Sequence, residues 1–188
     1  RRPRATIARE KGLEPLVRLL SAQGPAVDPR QAALDFLDPD KGVETAEDAL
    51  QGASDIIAER ISDDADIRKR LRELVWKKGY LVSAAAAKEP EDTVYRLYYD
   101  FEQSIPRLQG HQILAMDRGE REGKLTVTVL EDRERLLPMV CRAVVIPGSP
   151  AMDFVKDAAE DSLDRLIWPS LGREIRNHLT EQADEGAS

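Results

Sequence analysis

Thr45 to Ile61 reads Thr-Ala-Glu-Asp-Ala-Leu-Gln-Gly-Ala-Ser-Asp-Ile-Ile-Ala-Glu-Arg-Ile, and it decides the fold class. Ala46, Ala49, Leu50, Ala53, Ile57 and Ile61 recur at the spacing that lines apolar side chains along one stripe of an α-helix. Thr45 with Asp48 makes a capping box, each side chain satisfying a backbone N–H that the first helical turn leaves open. Small residues on the stripe permit close packing of another helix. Ser62, Asp63 and Asp64 then cap a second helix with Ile67, Leu71, Leu74 and Val75 inward. Its outward residues are Arg68, Lys69, Arg70, Arg72, Lys77 and Lys78, and Gly79 ends it. The pair predicts an antiparallel helix hairpin.

The helical period continues on both sides. Ile7, Ala8, Leu13, Leu16, Val17, Leu19 and Leu20, broken by Gly12 and Pro15, predict one or two short helices up to Ser21. A helix through Ala32, Ala33, Leu34 and Phe36 precedes a loop at Asp38 to Gly42. Strand alternation is confined to Tyr80 to Ser83 and to Leu125, Val127 and Val129 with Thr126 and Thr128 between them, which predicts a small two-stranded ribbon. Between these strands lie the aromatic residues Tyr95, Tyr98, Tyr99 and Phe101, a turn at Pro106, and a helix from about His111 through Met116. Gly119 and Gly123 mark its turn into the second strand. Beyond Pro150, Phe154, Val155, Ala159, Leu163, Ile167, Leu171, Ile175 and Leu179 keep helical spacing. Pro169, which has no N–H to donate, predicts a break or kink and two helices in series.

The expected fold is therefore mainly α, a multi-helix domain with helix hairpins and a small β ribbon. It divides into a helical part at 1–79, a mixed part at 80–146, and Pro-kinked helices at 147–188 leading toward a downstream domain.

A length of 188 residues fits one domain or one with an appendage. Lys and Arg total 28 against 35 Asp and Glu, a net charge of −7, which excludes a wholly basic nucleic-acid surface and leaves room for a local patch. Charged residues at 34% and hydrophobic residues at 41% are the composition of a chain that folds. Cys141 is the only cysteine, so no intrachain disulfide or Cys-based zinc site forms; it reads as a small buried hydrophobe, and the expected setting is the reducing cytoplasm. No apolar run approaches the roughly 20 residues of a membrane helix, and Arg1, Arg2, Pro3, Arg4 is no signal peptide. The chain lacks an initiator Met, which suggests a piece of a longer protein.

Nothing in the sequence argues for catalysis. His111 reads as a helix-start residue and His178 as a surface residue, neither near a nucleophile motif. Asp157, Glu160, Asp161 and Asp164 share one helical face with Lys156 and Arg165 beside them, a solvated pattern lacking the His or further carboxylate of a metal site. Asp38 and Asp40 lack calcium-loop spacing, and no phosphate-binding glycine loop occurs. No catalytic residue, metal, cofactor or small-molecule substrate is expected, and the aromatic run at 95–101 reads as a core or interface cluster. The binding candidate is the turn Arg118, Arg121, Lys124, where cations at a glycine-punctuated turn can hold phosphate unless Glu120 and Glu122 neutralise them. The row Arg68, Lys69, Arg70, Arg72 is the second candidate.

Several stretches resemble the Tex family of bacterial transcription accessory proteins: Asp38-Pro-Asp-Lys-Gly-Val43, Ala49-Leu-Gln-Gly-Ala53, Asp55-Ile-Ile-Ala-Glu-Arg-Ile61 and Tyr98-Tyr-Asp-Phe101. His111 through Arg118-Gly-Glu120, Glu122-Gly-Lys-Leu125, Arg165-Leu-Ile-Trp-Pro-Ser-Leu171 and Arg173-Glu-Ile-Arg176 continue it, so that nearly the whole chain is similar to that family's amino-terminal region. The resemblance implies a scaffold portion of an elongated, mostly helical protein. An RNase H-like domain, helix-hairpin-helix elements and an RNA-binding barrel would follow, and nucleic-acid binding is attributed chiefly to that barrel. It carries no catalytic residue onto this chain. The expected function is thus the scaffold of a Tex-like transcription accessory protein that associates with RNA or DNA as a full-length molecule. Two rivals stand beside it. One is a module docking its acidic faces, Asp35 to Asp66 and Asp157 to Asp164, on transcription or translation machinery. The other is a metal-dependent nuclease using Asp157 to Asp164.

Overall fold

The computed structural model describes residues 2–187. Three short helices come first: α1 (Arg4–Glu10), α2 (Glu14–Ala22) and α3 (Pro29–Ala33). Gly12, at φ +78°, makes the turn between α1 and α2. Pro15 and Pro29 sit in the first turns of α2 and α3, where the missing N–H costs nothing, and Asp28 caps α3 by accepting from the Gln31 N–H at 3.1 Å. Helix α4 (Ala46–Ser62) starts at the capping box: Thr45 Oγ1 accepts from the Asp48 N–H at 3.1 Å, and Asp48 Oδ2 accepts from the Thr45 N–H at 3.3 Å. There follow α5 (Ala65–Lys78), β1 (Tyr80–Ala85), β2 (Asp100–Ser104), α6 (Gly110–Arg121), β3 (Leu125–Val129), α7 (Arg133–Val144), α8 (Met152–Asp161) and α9 (Trp168–Ala187).

The chain forms two compact units, each discontinuous in sequence. The three consecutive parts read from the sequence follow chain order, whereas the first unit joins segments nearly seventy residues apart, the second joins segments about thirty apart, and α5 and α7 are divided between them. The first unit, residues 2–68 and Leu137–Ile167, is built around α4, against which α1, α2, α3 and α8 pack. Helix α4 buries more than the expected stripe, since Gly52, Ile56, Ala58 and Ser62 are covered as well. A Cβ at Gly52 would stand 2.3 Å from Leu13 Cδ1, and Leu13 is fully buried, so glycine is what lets the α1–α2 turn close onto α4. Gln23, at φ +53° and buried, closes the other side: its amide donates to Val144 C=O at 2.8 Å and its oxygen accepts from the Ile146 N–H at 2.8 Å.

Residues Ser162–Ile167 form a π-helical turn leading into α9, with the Ser162 hydroxyl donating to Ala58 C=O at 2.6 Å. The two helices in series expected around Pro169 are α8 and α9, with this π turn between them. Pro169 is the second residue of α9, and the wider turn before it shifts the hydrogen-bond register where the missing N–H would fall.

In the second unit, residues 69–136 and 168–187, the ribbon has three strands rather than two, ordered β2-β1-β3 and antiparallel throughout. Leu81 faces Val129 and Ser83 faces Val127, while Leu125, Val127 and Val129 are buried and Thr126 and Thr128 exposed. Strand β2 escaped the sequence reading because Asp-Phe-Glu-Gln-Ser is mostly polar, as an edge strand with one neighbour can be. Met116, Leu171, Ile175 and Leu179 form the core where α6 and α9 pack on each other and on β3. Cys141, which belongs to the first unit, is half-buried rather than buried, and desolvation pushes its thiol pKa up. Among the described residues no helix is long and apolar enough to cross a membrane.

Replacing Gly52 by Ala pits a helix-propensity gain of up to about 1 kcal/mol against overpacking of about 1–3 kcal/mol, so a net loss near 1–2 kcal/mol is expected. Gly172 on α9 is the control, because a Cβ there meets the Trp168 indole at an ordinary 3.6 Å. Gly172→Ala should stabilise by up to about 1 kcal/mol. Urea midpoints of the two variants should move in opposite directions.

Candidate nucleic-acid interface

The end of α6 is set by a Schellman turn. Gly123, at φ +73°, donates its N–H to Glu120 C=O at 3.0 Å, and the Lys124 N–H reaches Gly119 C=O at 2.8 Å. Gly119 itself has a packing role. A Cβ there would lie 2.5 Å from Leu125 Cδ1 and 3.1 Å from Tyr95 Cδ1, so its absence lets the strand and the tyrosine close on the helix. Arg118 and Arg121 occupy the last helical turn and Lys124 follows it; all three are exposed. Their charge also complements the negative end of the helix dipole, worth about 0.3–1 kcal/mol.

Whether these cations remain available depends on the two glutamates between them, and the structure commits both elsewhere. Glu122 accepts a hydrogen bond from the Tyr95 hydroxyl, which together with burial holds the phenol above its ordinary pKa, so it stays protonated and donating. Glu120 accepts from Arg176 Nη2 at 3.0 Å. The same Arg176 donates to Asp117 Oδ1 at 2.8 Å and, through Nη1, to Val127 C=O at 2.7 Å, while Thr180 donates to the other Asp117 oxygen at 2.7 Å. Arg118, Arg121 and Lys124 consequently make no ion pair among the described residues.

The second basic candidate does not hold together. Arg68 is half-buried, with its Nε donating to Ser62 C=O, and Arg72 grips Glu174 at 2.5 and 3.3 Å. Only Lys69 and Arg70 of that row stand exposed. The other candidates are accounted for locally. Asp161 is held by Arg165 through both carboxylate oxygens, and no group of three or more His, Cys, Asp or Glu is placed to hold a metal among the described residues. His111 is exposed at the start of α6, and His178 is exposed with Trp76 edge-on at 6.4 Å.

The aromatic run packs inside its own unit. Tyr95 is buried, Tyr98 meets Phe101 edge-on at 5.1 Å, and the Tyr99 hydroxyl donates to Glu91 C=O at 2.6 Å. Arg176 was absent from the sequence candidates. The signal was there as Asp117 and Glu120 one turn apart on one helix, with an arginine to spare on another, but nothing local says that those helices meet.

A mainly helical protein carrying a small antiparallel sheet, with a basic turn that makes no ion pair among the described residues, is the class these features define. The Tex central region-like family model matches residues 24–188, and the chain belongs to that family. It is 38% identical over 191 residues to protein YdcI of Bacillus subtilis, covering 100% of this chain and 26% of the relative. To the protein tex of Bordetella pertussis it is 42% identical over 144 residues, 75% of this chain and 18% of the relative. To the human S1 RNA-binding domain-containing protein 1 it is 32% identical over 199 residues, 97% of this chain and 19% of that protein. The chain thus spans about a quarter or less of these relatives' length.

Arg176→Met keeps the aliphatic stem and removes all three hydrogen bonds. Arg176 and Asp117 are only 17% and 18% exposed, so the carboxylate left behind is poorly solvated and a loss of about 2–3 kcal/mol is expected in chemical denaturation.

Proposed function

We propose that this chain is the scaffold region of a Tex-like transcription accessory protein and that it contributes a phosphate-contacting surface at the end of α6. The observation that carries the reading is the diversion of Glu120 to Arg176 and of Glu122 to Tyr95, which leaves Arg118, Arg121 and Lys124 with no ion pair among the described residues. Such cations hold phosphate oxygens and position a nucleic acid without reading its sequence. Relatives named as a transcriptional accessory protein and as an S1 RNA-binding domain-containing protein support an association with nucleic acid. The chain acts as a binding scaffold and not as an enzyme, in a reducing cytoplasm where its raised-pKa thiol stays unreactive.

A second reading draws on Val94 and Leu97, which are 86% and 77% exposed on either side of Tyr95, the residue that packs against this turn. Apolar groups beside free cations also suit an acidic protein partner, such as a component of the transcription or translation machinery.

Fluorescence anisotropy of labelled single-stranded RNA and duplex DNA, titrated across a range of salt, separates the two. Binding that falls steeply with salt is expected. Replacing Arg118, Arg121 and Lys124 together by Ala should reduce the slope of log affinity against log salt by about 2–3, the yield of three phosphate contacts at about 0.7–0.9 each. An unchanged slope removes these residues from the surface, and no binding even at low salt favours the protein partner.

A further inference from the structure

A groove of about 380 Å³ runs along the free edge of β3, walled on its far side by the first turns of α9. Its volume is at the lower end of the range for small-ligand sites. The backbone of β3 is partly open there. The Ala86 N–H bonds Lys124 C=O and the Leu130 N–H bonds Tyr80 C=O, so even-numbered residues turn their polar groups toward β1. Val127 and Val129 therefore turn theirs away from β1, toward the groove. Arg176 occupies Val127 C=O, which leaves the Val127 N–H and the N–H and C=O of Val129 facing outward.

The opposite wall supplies different chemistry. The Trp168 indole lines the groove beside Gly172, where a Cβ would be 3.6 Å from the ring. Arg173 is exposed and makes no ion pair among the described residues, and the Asn177 amide lies one turn further along α9. An indole face, outward N–H and C=O groups, an amide and a free guanidinium together match a flat ring with hydrogen-bonding edges and a phosphate attached. An added peptide strand matches less well, because it needs the Val127 C=O that Arg176 already holds.

We infer that this groove receives one unpaired base of a single-stranded nucleic acid, stacked on Trp168, with its edge on the β3 backbone and its phosphate at Arg173. The inference rests on the nucleic-acid reading above and adds a preference for single strands, since a base paired in a duplex cannot reach the indole.

The test uses the whole chain with Trp76→Phe, which leaves Trp168 as its only tryptophan. It is titrated with labelled oligouridylate and with a duplex DNA, and tryptophan emission and probe anisotropy are followed together. Oligouridylate should quench Trp168 with the same midpoint as the anisotropy change, while the duplex binds without quenching. Gly172→Met, which fills the groove from a helical position, should abolish the quenching and weaken oligouridylate about tenfold without affecting the duplex. Arg173→Ala should weaken oligouridylate about fivefold. If Trp76→Phe unfolds the chain, the comparison of the natural sequence with Gly172→Met isolates the Trp168 component. Oligouridylate binding with unchanged Trp168 emission overturns this inference and leaves the phosphate surface standing, whereas no anisotropy change at low salt overturns both.

Discussion

The guanidinium of Arg176 is the interaction on which the second unit depends. From α9 it reaches Asp117 and Glu120 on α6 and the Val127 carbonyl on β3, so one side chain ties two helices to the strand between them. A planar fork of donors suits this task in a way that a lysine ammonium does not, because its separate N–H groups reach acceptors lying in different directions. Thr180 completes the arrangement by satisfying the remaining Asp117 oxygen. At the same place Arg176 covers the central carbonyl of an edge strand, one of the ways a sheet edge is kept from pairing with another chain.

This structural bond has a chemical consequence at the surface. The sequence alternates cations and carboxylates around Gly119 and Gly123, and by itself such a turn would neutralise its own charge. Bonding Glu120 to Arg176 and Glu122 to Tyr95 separates the two sets: both are exposed, but the carboxylates are tied to the fold while the cations make no ion pair among the described residues. A net charge of −7 is thereby compatible with a local basic surface, because charge partition within one turn decides what a partner meets.

Close packing imposes a second constraint, carried by glycines inside helices. Gly52 on α4 and Gly119 on α6 each stand where a methyl group would collide with a leucine side chain, Leu13 in one unit and Leu125 in the other. Both are unfavourable helix formers kept because they let a neighbouring segment approach. In the second unit the same approach seats Tyr95 over the helix, which is what brings its hydroxyl to Glu122.

The sequence by itself determined the helical class, the capped start of α4, the pairing of β1 with β3 and the helix-to-strand turn at Gly123, because each rests on periodicity, capping or turn chemistry acting over a few residues. It also placed the chain's resemblance and its basic turn. Tertiary structure alone decided the two interleaved units, the polar edge strand β2, the π turn that carries the helical run past Pro169, and the loss of Arg68 and Arg72 to Ser62 and Glu174. These depend on groups brought together across the chain: Glu120 and Arg176 are 56 residues apart, and no local pattern reports which carboxylate an arginine will meet. The availability of Arg118, Arg121 and Lys124 is the clearest case, since their positions are written in the sequence and their freedom comes from an arginine on another helix.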